Sequence, residues 1–267
     1  MDYQHPAMIS LNSLFSLKGH IGLVTGSSSG LGVECAHALA LAGADVVLAA
    51  RRSDRVEQFA KELTQTYGIK SIGVQTDITV DADLDRLIET AQAKIGVVDI
   101  LVNNAGISPT GRAEKLSRAT WDDAMATNLT APMMLAQRVA SRLIETGKPG
   151  RIINMSSILG IVASSIYRLS AYTATKAGLG NLTRQLAVEW AQYGILVNAI
   201  APGWIRTEAT EGGIAKPQNR ERMEKATPLA RLGRPDEIRG AVVFLASPAS
   251  SYVTGVTLAV DGGYTCW

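Results

Sequence analysis

Cysteine and histidine are scarce in this sequence of 267 residues, which holds two of the first and three of the second. Cys35 and Cys266 stand at opposite ends of the chain with neither C-x-x-C nor metal-ligand spacing, and His5, His20 and His37 form no H-E-x-x-H or related constellation. Neither a disulfide framework nor a catalytic metal is therefore expected, and reduced thiols fit a cytoplasmic protein. Aromatic residues make up only 5%, too sparse for the stacking platforms that single-stranded nucleic acid needs. The net charge is +2, with both signs spread along the chain and no block of like charge, which argues against a nucleic acid or a membrane surface as partner. The opening MDYQHPAMIS has no basic region followed by an apolar core, so no secretory signal is expected. The longest apolar run, Ala36 to Ala50, is too short to span a bilayer and is interrupted by Asp45. Pro/Gly/Ser-rich linkers and internal repeats are also lacking. The length then suits one large α/β domain over 1–267, with 1–15 as an N-terminal extension.

What is present is an alternation of short β-branched runs with helical stretches. His20–Thr25, Asp45–Ala50, Ser71–Thr76, Asp99–Asn103, Arg151–Met155, Leu196–Ile200 and Gly255–Val260 read as strands. Several are apolar at successive positions (VVLAA, DILVN, LVNAI), as strands covered by helices on both faces must be. Helical patterns fall near 30–43, 52–67, 81–95, 117–146, 170–192 and 235–246. The alternation predicts a doubly wound, seven-stranded parallel sheet with helices on both faces, a Rossmann fold. The stretch 202–233, with Gly212, Gly213, Pro217 and many charges, reads as a long irregular loop, either a lid over a substrate site or a variable surface insertion.

Two segments carry chemistry. The first is Thr25-Gly26-Ser-Ser-Ser-Gly30-Leu-Gly32, which follows the first strand and opens the first long helix. Glycines let a dinucleotide pyrophosphate approach the backbone at a helix N-terminus with free N–H groups. The spacing is G-x-x-x-G-x-G rather than G-x-G-x-x-G. The second is Tyr172-Thr-Ala-Thr-Lys176, which puts a phenol and an amine four residues apart on one helical face. A nearby ammonium favours the phenolate, so Lys176 is expected to lower the Tyr172 pKa towards the working range. Ser157 ends the fifth strand at the carboxyl edge of the sheet, where its hydroxyl could hold a substrate oxygen; Ser156 is the competing choice. No G-x-S-x-G accompanies either serine, which disfavours a serine hydrolase.

Taken in order, TGSSSGLG at 25–32, Asp77, Asn103-Asn104-Ala105-Gly106, Asn128, Ser157, Tyr172 with Lys176, Pro202-Gly203 and a terminal VDGG at 260–263 resemble the single-domain short-chain dehydrogenase/reductase family over 16–263. Within it, LGRPDEI at 232–238 and LFSLKG before the first strand resemble 3-oxoacyl-carrier-protein reductases and gluconate 5-dehydrogenase-like enzymes. The resemblance implies hydride transfer between a nicotinamide cofactor and a small carbonyl or alcohol substrate. Tyr172 is then the acid/base, Ser157 lies on the substrate oxygen, and Lys176 also holds the nicotinamide ribose. Asn128 kinks its helix and binds a water behind the lysine, unless it is simply a tolerated polar residue. Gly26, Ser28, Ser29, Gly30, Leu31 and Gly32 would cradle the pyrophosphate. Asp77 and Ile78 would meet the adenine, unless Asp77 only opens a helix. Asn104, Ala105 and Gly106 would pass beneath the adenosine ribose, with Pro202, Gly203, Ile205 and Thr207 at the nicotinamide.

Ala50, where NAD-users of the family usually carry aspartate, is followed by Arg51 and Arg52. Arginine accepts a 2′-phosphate and the Arg51 guanidinium suits bidentate binding, unless both arginines only open the next helix, so NADP(H) is favoured; NAD(H) stays open, since Ser29 stands where many NADP-dependent relatives have a second basic residue. Ser157 and Tyr172 lie fifteen positions apart, slightly more than is usual in the family, so a modified substrate wall is expected within Ala163–Ser170. Arg112, Arg168, Arg206, Arg220 and Arg222 could offer a basic patch to an acyl carrier, or be scattered solvated charge. The family also implies a homotetramer through the long helices near 117–146 and 170–192 and the last strand and helix, with Ala187 and Ala191 allowing close approach unless they serve packing within the chain. The aromatic tail Tyr264-Thr-Cys-Trp267 is expected to dock. A non-catalytic dinucleotide sensor is the alternative from another class. An enoyl reductase is disfavoured, because that branch resembles Y-x-x-x-M-x-x-x-K.

Overall fold

A computed structural model describes residues 10–267; residues 1–9 of the expected extension, with His5, lie outside the described residues. After a single helical turn, α1 (Leu11–Leu14), strand and helix alternate: β1 (Ile21–Thr25), α2 (Leu31–Leu41), β2 (Asp45–Ala50), α3 (Ser53–Tyr67), β3 (Ser71–Gln75) and α4 (Asp81–Lys94). Then come β4 (Ile100–Asn103), α5 (Arg118–Met125), α6 (Ala131–Thr146), β5 (Gly150–Met155), α7 (Ser170–Trp190) and β6 (Ile195–Pro202). The chain closes with α8 (Glu208–Ile214), α9 (Pro217–Ala226), α10 (Arg239–Ala246) and β7 (Thr257–Val260). The strands form one seven-stranded sheet in the order β3-β2-β1-β4-β5-β6-β7, and every pairing is parallel. This is the doubly wound single-domain fold that the alternation predicts.

The continuous apolar strands have the expected cause. Val24, Val46 and Leu48 join one core with Cys35, Leu39 and Val242, whereas their neighbours Leu23, Val47 and Ala49 join the other with Leu84, Leu135 and Leu186. Successive side chains leave opposite faces of a strand, so a sheet covered twice needs apolar residues at both. The chain builds outward from β1 to β3 and then returns to place β4 beside β1. Loops after β1 and β4 therefore leave in opposite directions and open a crevice at the carboxyl ends of the strands.

The 202–233 stretch differs from the sequence-based expectation: it is not irregular but carries α8 and α9. Pro217 starts α9 in its first turn, where its missing N–H costs nothing, and the pairs Arg220–Glu224 and Glu221–Lys225 support it at helical spacing. Glycines and charges had masked a helix whose only buried residue is Met223. The 117–146 pattern is also not one uniform helix, because Ala126–Thr130 forms a π turn between α5 and α6. No described helix is long and apolar enough to cross a membrane.

Candidate active site

The glycine-rich turn is knitted to the loop after β4. The backbone N–H groups of Asn104 and Ala105 donate to Thr25 Oγ1 at 3.0 and 3.1 Å, and Asn104 Nδ2 donates to the carbonyls of Thr25 and Gly26 at 2.9 and 3.3 Å. Gly32 is needed for close approach, since a Cβ there would lie 2.3 Å from the Gly26 carbonyl oxygen. Gly30 caps α2 at φ 61°, a left-handed value that strains any other residue, and its missing Cβ would face Thr207 at 3.7 Å. Ser28, Ser29, Gly30, Leu31 and Thr207 thus gather around one open helix N-terminus, which suits a pyrophosphate.

Arg52, rather than Arg51, reaches this turn. Its guanidinium donates to Ser28 Oγ at 3.0 Å and Ser29 Oγ at 3.1 Å, while Arg51 meets Gln75 through its carbonyl. A cation beside the turn at the end of β2, with no acid at Ala50, fits a phosphate on the adenosine ribose better than a bare hydroxyl. Asp77 Oδ1 accepts from the Thr79 N–H and hydroxyl at 3.0 and 2.7 Å, and these bonds hold its carboxyl below the usual range. Its own N–H donates to Asp83 Oδ2 at 2.8 Å, so Asp77 does organise the entry to α4. Ile78 packs against the core beside it.

At the other end of the crevice, β5 and α7 bring Ser157, Tyr172 and Lys176 together. The Tyr172 hydroxyl is close enough to Ser157 to be influenced by it, and Ser157 Oγ accepts from the Leu159 N–H at 3.1 Å. Ser156 faces elsewhere, its hydroxyl donating to the Lys176 carbonyl at 3.0 Å. Lys176 Nζ donates to the Met155 carbonyl at 2.6 Å and lies 5.7 Å from the centre of the Tyr172 ring. Asn128 sits fully buried in the π turn. It accepts from the Ile107 N–H at 2.8 Å and donates to the Ile107 carbonyl at 2.8 Å and to Thr175 Oγ1 at 3.1 Å. A Cβ on Gly106 would lie 3.0 Å from Asn128 Oδ1 and 3.6 Å from Lys176 Nζ, so glycine keeps this passage open. The π turn supplies the extra residue that aims Asn128 inward, a frequent use of such bulges at functional sites.

One expectation is corrected. The Tyr172 phenol is pushed up by burial, with Ser157 acting downward. Burial also brings the Lys176 ammonium down to about 8.

Around Tyr172 lies an apolar lining. Ile158, Leu159 and Leu169 are buried there, with Tyr167, Trp204 and Tyr264 packed against them. The Tyr167 and Trp204 rings are 5.9 Å apart, and Trp204 meets Tyr264 edge-on at 5.8 Å. Trp204 Nε1 is buried without a protein acceptor. From α9, Arg222 donates to the Ser165 carbonyl at 2.9 Å and Asn219 to the Tyr167 hydroxyl at 3.5 Å, closing the 202–233 segment over the lengthened loop. The tail docks through Tyr264 and through Trp267 Nε1, which donates to the Ala226 carbonyl at 3.4 Å, though Trp267 itself stays 79% exposed. Pro202, Gly203 and Ile205 carry this turn, and Asp261 backs Gly203 so closely that a Cβ there would sit 2.6 Å from its Cα.

Sequence reading missed Thr25 as a hinge between the two cofactor loops and Thr175 as a support of Asn128. The first had a signal, a hydroxyl at the last position of β1; the second did not. Of the five arginines read as a potential basic patch, Arg112, Arg206 and Arg220 are paired with Glu114, Glu211 and Glu224. Ala187 is buried within the core rather than placed for contact between chains.

Known proteins resemble this chain along most of its length. A family model described as enoyl-(acyl carrier protein) reductase matches residues 26–265. Gluconate 5-dehydrogenase of Gluconobacter oxydans (strain 621H) is 40% identical over 255 residues, 94% of this chain and 97% of that protein. The 3-oxoacyl-[acyl-carrier-protein] reductase of Aquifex aeolicus (strain VF5) is 34% identical over 92% of this chain and 98% of its own. A crystal structure of a gluconate 5-dehydrogenase from Burkholderia cenocepacia J2315, in complex with NADP and tartrate, has a TM-score of 0.92 at 35% identity and covers 97% of this chain and 100% of that one. With its fold, its ordered motifs and relatives matched along nearly their whole length, this chain belongs to the short-chain dehydrogenase/reductase family of oxidoreductases.

Proposed function

We propose that the protein moves a hydride between NADP(H) and the carbonyl or secondary alcohol of a small organic substrate, with Tyr172 exchanging the proton. The observation that carries this reading is the Lys176 ammonium held at the end of β5 and 5.7 Å from the Tyr172 ring, with Ser157 beside the phenol. When bound, the nicotinamide supplies or accepts the hydride. The chain's own work is to hold the oxygen and move the proton. In reduction, Ser157 Oγ positions the carbonyl oxygen, and Tyr172 gives its proton to that oxygen as the carbon becomes a carbinol. In oxidation the same proton returns to the phenolate. Lys176 keeps its charge at neutral pH, because its pKa remains near about 8, and so stabilises the phenolate once the proton has left. Asn128, which orders Ile107 and Thr175, would hold the water that restores the proton.

Gly26, Ser28, Ser29, Gly30, Leu31 and Gly32 would hold the pyrophosphate, Arg51 and Arg52 the 2′-phosphate, and Asp77 and Ile78 the adenine. Asn104, Ala105 and Gly106 would line the ribose, and Lys176, Pro202, Gly203, Ile205 and Thr207 the nicotinamide half. The contact of Arg52 with the turn favours NADP(H), and the Burkholderia relative's complex with NADP supports it. Assembly into a homotetramer through the long helices and the last strand and helix is part of this proposal, and light scattering would test it. The main test is steady-state kinetics with NADPH and NADH across ketones, oxoacyl thioesters and sugar acids. General acid catalysis is typically worth about 100- to 10,000-fold, so Tyr172→Phe should lose activity on that scale while still binding NADPH. Substantial turnover in that variant would sink the mechanism, and cofactor binding without turnover by the native chain would favour a sensor.

A further inference from the structure

Thr175 is fully buried and stands on α7 between Tyr172 and Lys176. A hydroxyl has one hydrogen to give, and Thr175 gives it to the Tyr172 carbonyl at 2.8 Å. Its oxygen can then only accept, and it accepts one N–H of Asn128 Nδ2 at 3.1 Å. The other N–H of that amide goes to the Ile107 carbonyl, while Asn128 Oδ1 takes the Ile107 N–H, both at 2.8 Å. Both side-chain donors of Asn128 are thereby committed. Turning the amide over would set oxygen against oxygen at Thr175 and at Ile107. Asn128 Oδ1 also borders the space over Gly106, where a Cβ would lie 3.0 Å from it and 3.6 Å from Lys176 Nζ. On that space the Asn128 side chain can only accept and the Lys176 ammonium can only donate.

Ile107 by itself would fasten Asn128 to the loop after β4. Among the described residues, the bond to Thr175 is the one hydrogen bond between the π turn and α7, the helix that carries Tyr172 and Lys176. The two elements are also packed closely, since a Cβ on Gly178 would lie 3.3 Å from Leu129 Cδ2. Such packing has no direction, and the bond supplies it. Two turns further along α7, Thr183 has the same pair of bonds: it donates to the Leu179 carbonyl at 2.8 Å and accepts from Asn154 Nδ2 at 3.0 Å. It is equally buried and makes no hydrogen bond to Asn128, Tyr172 or Lys176. Thr183 therefore separates the cost of losing a buried threonine hydroxyl from the effect of losing this one.

We propose that Thr175 is a positioning residue of the proton-transfer site: it holds Asn128 as an acceptor towards Lys176 and in register with Tyr172, so that the proton Tyr172 gives up in reduction is restored from solvent at full rate. This inference rests on the hydride-transfer reading above.

The test measures kcat, KM and the solvent deuterium isotope effect on kcat with NADPH and either butane-2,3-dione or a keto-sugar acid. The native chain is compared with Thr175→Val, Thr175→Ala, Thr175→Ser and Thr183→Val. Thr175→Val and Thr175→Ala should each lower kcat about tenfold, the scale of one buried donor left without its acceptor, with KM within about twofold and a larger solvent isotope effect. The alanine variant decides the outcome where valine does not fold. Thr175→Ser keeps the hydroxyl and should stay within about threefold of the native kcat. Thr183→Val should lose as much thermal stability as Thr175→Val yet keep the native kcat and isotope effect. Full activity in Thr175→Ala, a change in KM alone, an equal loss of kcat in Thr183→Val, or a serine variant as slow as alanine would overturn the inference while leaving hydride transfer intact. A native chain that reduces neither substrate, or a Tyr172→Phe variant as fast as the native chain, would overturn the hydride-transfer reading and the inference with it.

Discussion

Replacing Lys176 with methionine should stabilise the folded protein while abolishing its activity. The lysine is fully enclosed, and burial lowers its pKa from 10.5 to about 8. At about 1.4 kcal/mol for each unit, holding the charged form inside the fold at neutral pH costs about 3 kcal/mol. Methionine fills a similar volume without a charge but loses the hydrogen bond to the Met155 carbonyl, a loss of about 1 kcal/mol. The net expectation is a gain of about 2 kcal/mol at neutral pH. The sign with pH follows from linkage: between the folded and unfolded pKa values the unfolded chain binds more protons, so the native protein gains stability as pH rises through that window. The advantage of the variant should therefore shrink by about 2 kcal/mol between pH 7 and pH 10. Urea unfolding of both proteins without cofactor, at one protomer concentration, measures this difference, and charges elsewhere cancel to first order. A variant less stable than the native chain at neutral pH, or a difference unchanged by pH, would refute the reasoning that the ammonium is held against its own desolvation.

Other consequences can be measured separately. Arg52→Ala should weaken NADPH binding about 10- to 100-fold and leave NADH within about threefold, the scale of a lost charge-assisted hydrogen bond, as read by fluorescence titration. Equal losses for both cofactors would place the arginine elsewhere. Gly32→Ala forces a Cβ against the Gly26 carbonyl and should cost about 1–3 kcal/mol, seen as a lower Tm and weakened cofactor binding. Asn128→Ala orphans the Ile107 backbone groups and should cost about 2 kcal/mol in addition to activity; a fully active, equally stable variant would remove Asn128 from the site. Deleting 264–267 should raise KM for carbonyl substrates, because the Tyr264 ring leaves Trp204 uncovered.

Much of this was legible in the sequence because the relevant signals are local. A two-sided sheet writes itself into apolar runs such as VVLAA, and a phosphate cradle into glycines at fixed spacing, so β2 and the turn after β1 follow from adjacent residues alone. Other features depend on groups that only the fold brings together. Arg51 and Arg52 are equivalent on paper, and the start of α3 decides which one turns towards Ser28. The pKa of Tyr172 looked set by a lysine four residues away, but the enclosure that raises it is contributed by loops from three parts of the chain. Helix α9 escaped notice because its pattern is almost wholly polar: a helix lying on a loop rather than on a core has little periodicity to show.

Gly160 marks a boundary with a practical meaning. A Cβ there would come within 2.7 Å of the Lys176 carbonyl, the same carbonyl that Ser156 ties to the end of β5. Strand and helix are thus fastened directly across that glycine, and the chain is released only beyond it. With Leu169 kept, because it is buried beside Ile158 and Leu159 and its carbonyl accepts from the Thr173 N–H at the start of α7, the segment 161–168 should be exchangeable while the spacing of Ser157, Tyr172 and Lys176 is held. New substrate ranges would be sought by grafting loops between Gly160 and Leu169, with the proton-transfer machinery serving as a fixed chassis.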